Sequence, residues 1–203
     1  MNTQLKKKCE NFDFKELFNK KGYAYFTQGM YNLNLIGVRA SGNQITNTFN
    51  DILVVDYKDE FGFQRKIYNI TTDPGYYYMM HNCNINGCAI VKEGQYRKLW
   101  TIGMHQGKYK ALVQYGPVIV YRDKDKDEFY DFTPNTEEKG IFGINLHRAN
   151  QNIESQLIDK WSAGCQVFAS PVKFNEFLKL CEAQINNGMG KYFTYTLINE
   201  EDM

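Results

Sequence analysis

From Tyr31 to His147 the chain is cut into short apolar runs, rich in Val, Ile, Tyr and Phe, each closed by turn-forming residues. The runs fall at residues 31–38, 52–57, 66–70, 88–91, 110–113, 118–121 and 143–147. Between them stand Ser41-Gly42-Asn43, residues 59–62, Asp73-Pro74-Gly75, Asn86-Gly87 and Tyr115-Gly116-Pro117. Gly, Pro, Asn and Asp at such points supply the backbone angles of tight turns, so the runs read as strands. Short strands at these intervals predict a β-rich sandwich or barrel. Helical spacing is confined to the two ends. Leu5, Cys9, Phe12, Leu17 and Phe18 predict one helix over residues 2–21, stopped by Gly22. Pro171, in a first turn, with Phe174, Phe177, Leu178 and Cys181 on one face, predicts a second over 171–185. Residues 191–198 read as a closing strand. The fold class is therefore mainly β with flanking helices.

No repeat or Pro-rich linker interrupts the 203 residues, which predicts a single domain over 1–203, with a helical N-terminal segment at 1–25. The 15 Tyr exceed what a core needs and suit the walls of a polar groove. A net charge of +1 without a basic footprint speaks against nucleic-acid binding. Lys6, Lys7 and Lys8 precede no apolar segment, so neither a secretory signal nor an integral membrane segment is expected. Five cysteines with no export signal predict reduced thiols and synthesis in the cytoplasm.

Chemistry concentrates in residues 140–185, and above all in Gly140 to Phe168. There His147 ends an apolar strand, and Cys165 follows a small Ser-Ala-Gly turn. A thiol is largely protonated at neutral pH and becomes a nucleophile once an imidazole takes its proton. Gly164 permits a tight turn that aims nearby amides at a developing oxyanion. The bland alternative is a core cysteine and a structural histidine, since free cysteines are commonly buried.

This segment resembles the catalytic signature of the L,D-transpeptidase family, in which a strand-end His is followed, after a gap, by Ser/Thr-His-Gly-Cys. Ser162, Gly164 and Cys165 match that motif, residues 148–161 fill the gap, and Gly143-Ile144-Asn145-Leu146-His147 is similar to the strand leading to the base. The resemblance implies a β-sandwich with a helix after the nucleophile turn. It implies Cys165 as nucleophile and His147 as base, with the ring oriented by the main-chain carbonyl of Arg148. The Arg148 side chain suits a substrate carboxylate. Ser162, Gln166, Asn145 and His105 are the expected substrate-binding residues. The sequence departs from the motif at Ala163, where the family has His, and at Gln166 and Val167. The implied substrate is a peptidoglycan stem peptide, cut through a thioester. Hydrolysis is favoured over cross-linking, because a chain without an export signal would meet the wall after release or at lysis, as phage endolysins do. The rivals are an amidase or peptidase with a non-wall substrate and an inactive binding or structural protein on the same scaffold.

Other candidates are weaker. His105 sits in a glycine-flanked turn. His81, Cys83 and Cys88 lack the second paired half of a zinc site. Thr71 to Gly75 reads as a strand entering a turn, with a substrate role as its alternative. Asp123 to Asp131 has acidic spacing loosely like a calcium loop, without a helix pair, and reads as a solvated loop. Cys9 and Cys181 read as packing residues. Neither a metal nor a cofactor is expected.

Overall fold

The computed structural model describes residues 2–81 and 84–203. It is mainly β with flanking helices. Eight strands close into a barrel in the order β1-β11-β5-β6-β9-β10-β3-β2, and a separate three-stranded sheet has the order β4-β7-β8. The barrel strands are β1 (Asn34–Arg39), β2 (Asp51–Asp59), β3 (Gly62–Thr71), β5 (Gly94–His105), β6 (Tyr109–Gln114), β9 (Leu146–Arg148), β10 (Gln166–Phe168) and β11 (Tyr192–Asn199). The small sheet holds β4 (Cys88–Val91), β7 (Val118–Asp123) and β8 (Glu138–Gly140). Closure leaves no unpaired barrel edge. Two neighbouring pairs, β1 with β11 and β9 with β10, run parallel. The second of these carries the candidate site.

The predicted N-terminal helix is two helices, α1 (Thr3–Asn11) and α2 (Phe14–Lys21). Asn2 and Asp13 accept from the amides of Leu5 and Glu16 as N-caps, and Gly22, at φ +70°, closes α2. What ends α1 is Arg65 on β3. Its Nη1 donates to the carbonyls of Cys9, Glu10 and Phe12, while Nε and Nη2 grip the carboxylate of Asp56 at 2.7 and 2.6 Å. The helices bury Leu5, Cys9, Phe14 and Phe18 against Ile36, Val38, Ile52 and Val54 on the outside of β1 and β2. They complete the core there. The role left open for Thr71 to Gly75 is structural. The Thr72 amide and hydroxyl both donate to Asp51, and Asp73 pairs with Arg39 at 2.9 Å, all out of reach of solvent. Burial, reinforced by Asp73, pushes the Asp51 carboxyl up to about 7.

A short helix, α3 (Tyr76–Met80), lies between β3 and β4, and the C-terminal helix, α4 (Pro171–Asn186), follows β10 directly. Phe174, Phe177 and Cys181 pack with Phe168 and Tyr68 in the main core. Inside the barrel Trp100 donates to the carbonyl of Ile144, and Tyr195 donates to Gln166 at 2.6 Å. Both bonds tie the barrel interior to the segments that carry the site. Among the described residues, no helix is long and apolar enough to cross a membrane.

Candidate active site

The parallel register pairs Gln166 with Leu146 and Val167 with His147. Side chains alternate along strands, so Leu146 and Phe168 enter the core while Asn145, His147, Cys165 and Val167 share the opposite face. His147 and Cys165, eighteen positions apart in the chain, thereby become diagonal neighbours. Both line a cleft of about 540 Å³ with His105, Tyr109, Arg148, Lys160 and Trp161. A second cleft of about 280 Å³, walled by Gly87, Arg122, Phe142 and Ile144, also ends at Ala163 and Cys165. The thiol stands between the two.

Hydrogen bonding fixes the imidazole tautomers. His147 Nδ1 is 2.8 Å from the Arg148 carbonyl oxygen, which only accepts, so Nδ1 carries the proton and Nε2 keeps its lone pair. Tyr109 donates to the same carbonyl at 3.1 Å. The His105 ring stacks on His147 with centroids 4.1 Å apart. Its Nδ1 faces the Asn145 amide nitrogen at 3.1 Å, while Asn145 Oδ1 accepts from the Gln114 amide. His105 Nδ1 must therefore accept, and its proton sits on Nε2. Burial, with His105 alongside, lowers the His147 pKa to about 4, so the ring is a neutral base at neutral pH.

The thiol is neutral as well. Burial pushes Cys165 up to about 11, against a small opposing pull from the Asn145 amide. In this arrangement Sγ donates to the Gly143 carbonyl and accepts from the Asn145 amide, each at 3.4 Å, and makes no hydrogen bond to the imidazole. Even so, Cys165 is the one described cysteine with solvent access; Cys9, Cys88 and Cys181 are buried. Cys83 lies outside the described residues, and with it any test of the His81–Cys83–Cys88 grouping.

The turn before Cys165 is held from beneath. The Ser162 hydroxyl donates to the Cys165 carbonyl at 2.8 Å and accepts from the Gly164 amide at 3.1 Å. Gln166 donates to Thr72 O and accepts from Tyr195. Both side chains have zero exposure, which corrects their expected place against substrate: their hydrogen bonds shape the turn. The expected oxyanion donors are corrected in part. The Gly164 amide is committed to Ser162 and the Gln166 amide to Asn145 O, which leaves the Cys165 amide, unpaired among the described residues. Asn145 has both ends of its side chain engaged and acts by placing His105. His105, a strand-end residue, lines the cleft. Arg148 also lines it, its guanidinium 3.8 Å from the Tyr109 ring centroid and in no ion pair among the described residues.

Gly164 meets a double requirement. Its φ is +120°, and a Cβ there would lie 2.4 Å from the carbonyl oxygen of Ala89 on β4. Gly164→Ala is expected to cost roughly 2–4 kcal/mol and to displace the turn before Cys165. Urea unfolding checks this, and an unchanged midpoint would contradict the packing.

His147 also sets a pH dependence. Unfolded, it takes a proton near 6.5; folded, it resists until about 4. Between those values the unfolded chain holds more protons, so acidification removes His147's contribution, up to about 3 kcal/mol. Asp51 acts in the opposite sense, since the folded state takes its proton first, below about 7. Ring-proton NMR separates the two: the His147 signal should stay constant from pH 8 to 5, and a midpoint near 6.5 would show a solvated ring.

Sequence reasoning missed Tyr109, Lys160 and Trp161. Tyr109 follows the Gly107 turn, and no spacing links it to the carbonyl of Arg148 on another strand. Trp161 adjoins the Ser162 turn, where an exposed aromatic is a weak but readable signal.

Comparison with known protein families, curated proteins and solved structures finds no match to this chain.

Proposed function

We propose that the chain is a cysteine-dependent L,D-peptidase or transpeptidase of peptidoglycan stem peptides, with Cys165 as nucleophile and His147 as general base. One observation carries the reading: a solvent-accessible cysteine and a neutral imidazole share a cleft, and the imidazole has its Nδ1 proton held on a carbonyl and its Nε2 lone pair free. The L,D-transpeptidase resemblance ascribes the same orienting contact to Arg148. Clefts on both sides of the sulfur suit a peptide continuing past the cut bond in each direction. Lys108, Arg148 and Lys160 line the larger cleft without any acidic side chain, which suits the free carboxylates of a stem peptide.

The proton moves during attack. With both groups neutral at rest, no thiolate–imidazolium pair waits in the cleft. Substrate binding turns Sγ from the weak Gly143 contact toward Nε2, which takes the proton as sulfur adds to the carbonyl carbon. The Cys165 amide donates to the oxyanion, the amine leaves with the proton from Nε2, and water or a second amine resolves the thioester. The backbone-bound resting thiol favours one other reading, a peptide-binding protein using the same cleft. Purified muropeptides followed by mass spectrometry, with and without an added D-amino acid, separate the possibilities. Hydrolysis or exchange products support the enzyme. Retention of intact muropeptide without turnover would establish the binder instead.

A further inference from the structure

The loop between β7 and β8 holds a concentration of negative charge that the proposed activity does not use. Asp123, the last residue of β7, is 1% exposed. Its Oδ2 accepts from the Asp131 amide at 2.8 Å, but Oδ1 is sealed from solvent with no hydrogen-bond partner. An orphaned carboxylate oxygen in a buried position is costly. No ion pair among the described residues involves Asp123, Asp125 or Asp131, and the nearby Arg122 is committed to Glu138 at 2.7 Å. Burial, with Asp131, Asp125 and Asp127 adding like charge, pushes the Asp123 carboxyl up to about 6.

One oxygen from each of Asp123, Asp125 and Asp131 lies within 4.8 Å of the others. Calcium binds oxygen at roughly 2.3–2.6 Å, so two ligands on opposite sides of one ion are at most about 5 Å apart. The three carboxylates already satisfy that limit. Their burial is graded: Asp123 is buried, Asp131 half-buried and Asp125 exposed, which leaves the outer side open to water ligands. Hard oxygen donors without nitrogen or sulfur select a hard cation, and their loop setting suits calcium's flexible geometry better than magnesium's strict octahedron.

We propose that Asp123, Asp125 and Asp131 form a binding site for one calcium ion. This departs from the solvated loop expected of the sequence. The ion would satisfy the orphaned Asp123 oxygen and tie the loop to the end of β7. The same loop is already joined to residues 43–45 through the bonds of Ile45 to Glu128 O and of Tyr130 to Asn43 O.

Calorimetric titration of the chelator-stripped full chain with calcium chloride tests the site, with thermal unfolding as a second readout. One site is expected, with a dissociation constant on the order of 10⁻⁴–10⁻³ M, the weak end of the range for calcium sites, since only three carboxylates supply protein ligands. Calcium should raise Tm. Asp125→Asn, at an exposed position that leaves folding intact, should weaken binding by about 10-fold or more, and Asp123→Asn should abolish it. Absence of binding in the unaltered chain, unchanged affinity in Asp125→Asn, or equal affinity for magnesium would each overturn the proposal.

Discussion

Cys165→Ala is expected to eliminate muropeptide turnover while leaving the fold in place. The substitution removes one half-buried sulfur and two long hydrogen bonds to backbone groups. Its cost in stability should stay within about 1 kcal/mol. The chemical cost is of another order, because no other described cysteine has solvent access. With Cys165 as the proposed nucleophile of a dyad that acts as a unit, its removal should lower the rate on the order of 10⁴–10⁶-fold. Mass spectrometry of the unaltered protein with substrate should show an adduct on the Cys165 peptide. Residual turnover within tenfold of the unaltered protein would remove Cys165 from the mechanism.

The second large effect belongs to His147. His147→Ala deletes the proposed base and leaves the Arg148 carbonyl with Tyr109 as its donor. Turnover should fall on the order of 10³–10⁵-fold. A merely structural loss would look different, and two readouts separate it. Imidazole added to the variant should restore part of the rate by entering the space the ring vacated. Substrate affinity should change far less than the rate. The obvious replacement base is His105, stacked on His147, but its Nδ1 is occupied by Asn145 and its Nε2 holds the proton. It is in the wrong tautomer to serve. Near-normal turnover in His147→Ala would mean that His105 is the base after all.

Much of the architecture was readable from local pattern. Cys88–Val91 emerges as predicted, and the strands over 52–57, 66–70, 110–113 and 118–121 are each recovered with longer ends. Local rules suffice there because apolar runs and turn residues both act over a few positions. The strand Gly94–His105 was missed. Its middle carries Arg97 and Lys98, and Lys98 takes φ +54°, opposite a register shift on β11. An irregular, partly polar strand has no alternation to read. The helix break after Asn11 was missed for another reason. Asp13 is a plain N-cap signal, but the carbonyls that end α1 are satisfied by Arg65, more than fifty positions away.

The sequence by itself determined a β-rich chain with helices at its ends, and it singled out Cys165 and His147. Turn chemistry, capping and side-chain type are properties of neighbouring residues, so they survive without coordinates. Tertiary structure decided that the strands close into a barrel, because closure depends on which distant strands pair. It also decided the chemical state of the site. The parallel pairing of β9 with β10 brings thiol and imidazole to one face, the Arg148 carbonyl assigns the proton on His147, and burial keeps both groups neutral. The same holds for Asp123, whose spacing was visible in the chain but whose buried, unpartnered oxygen exists only once the small sheet is formed.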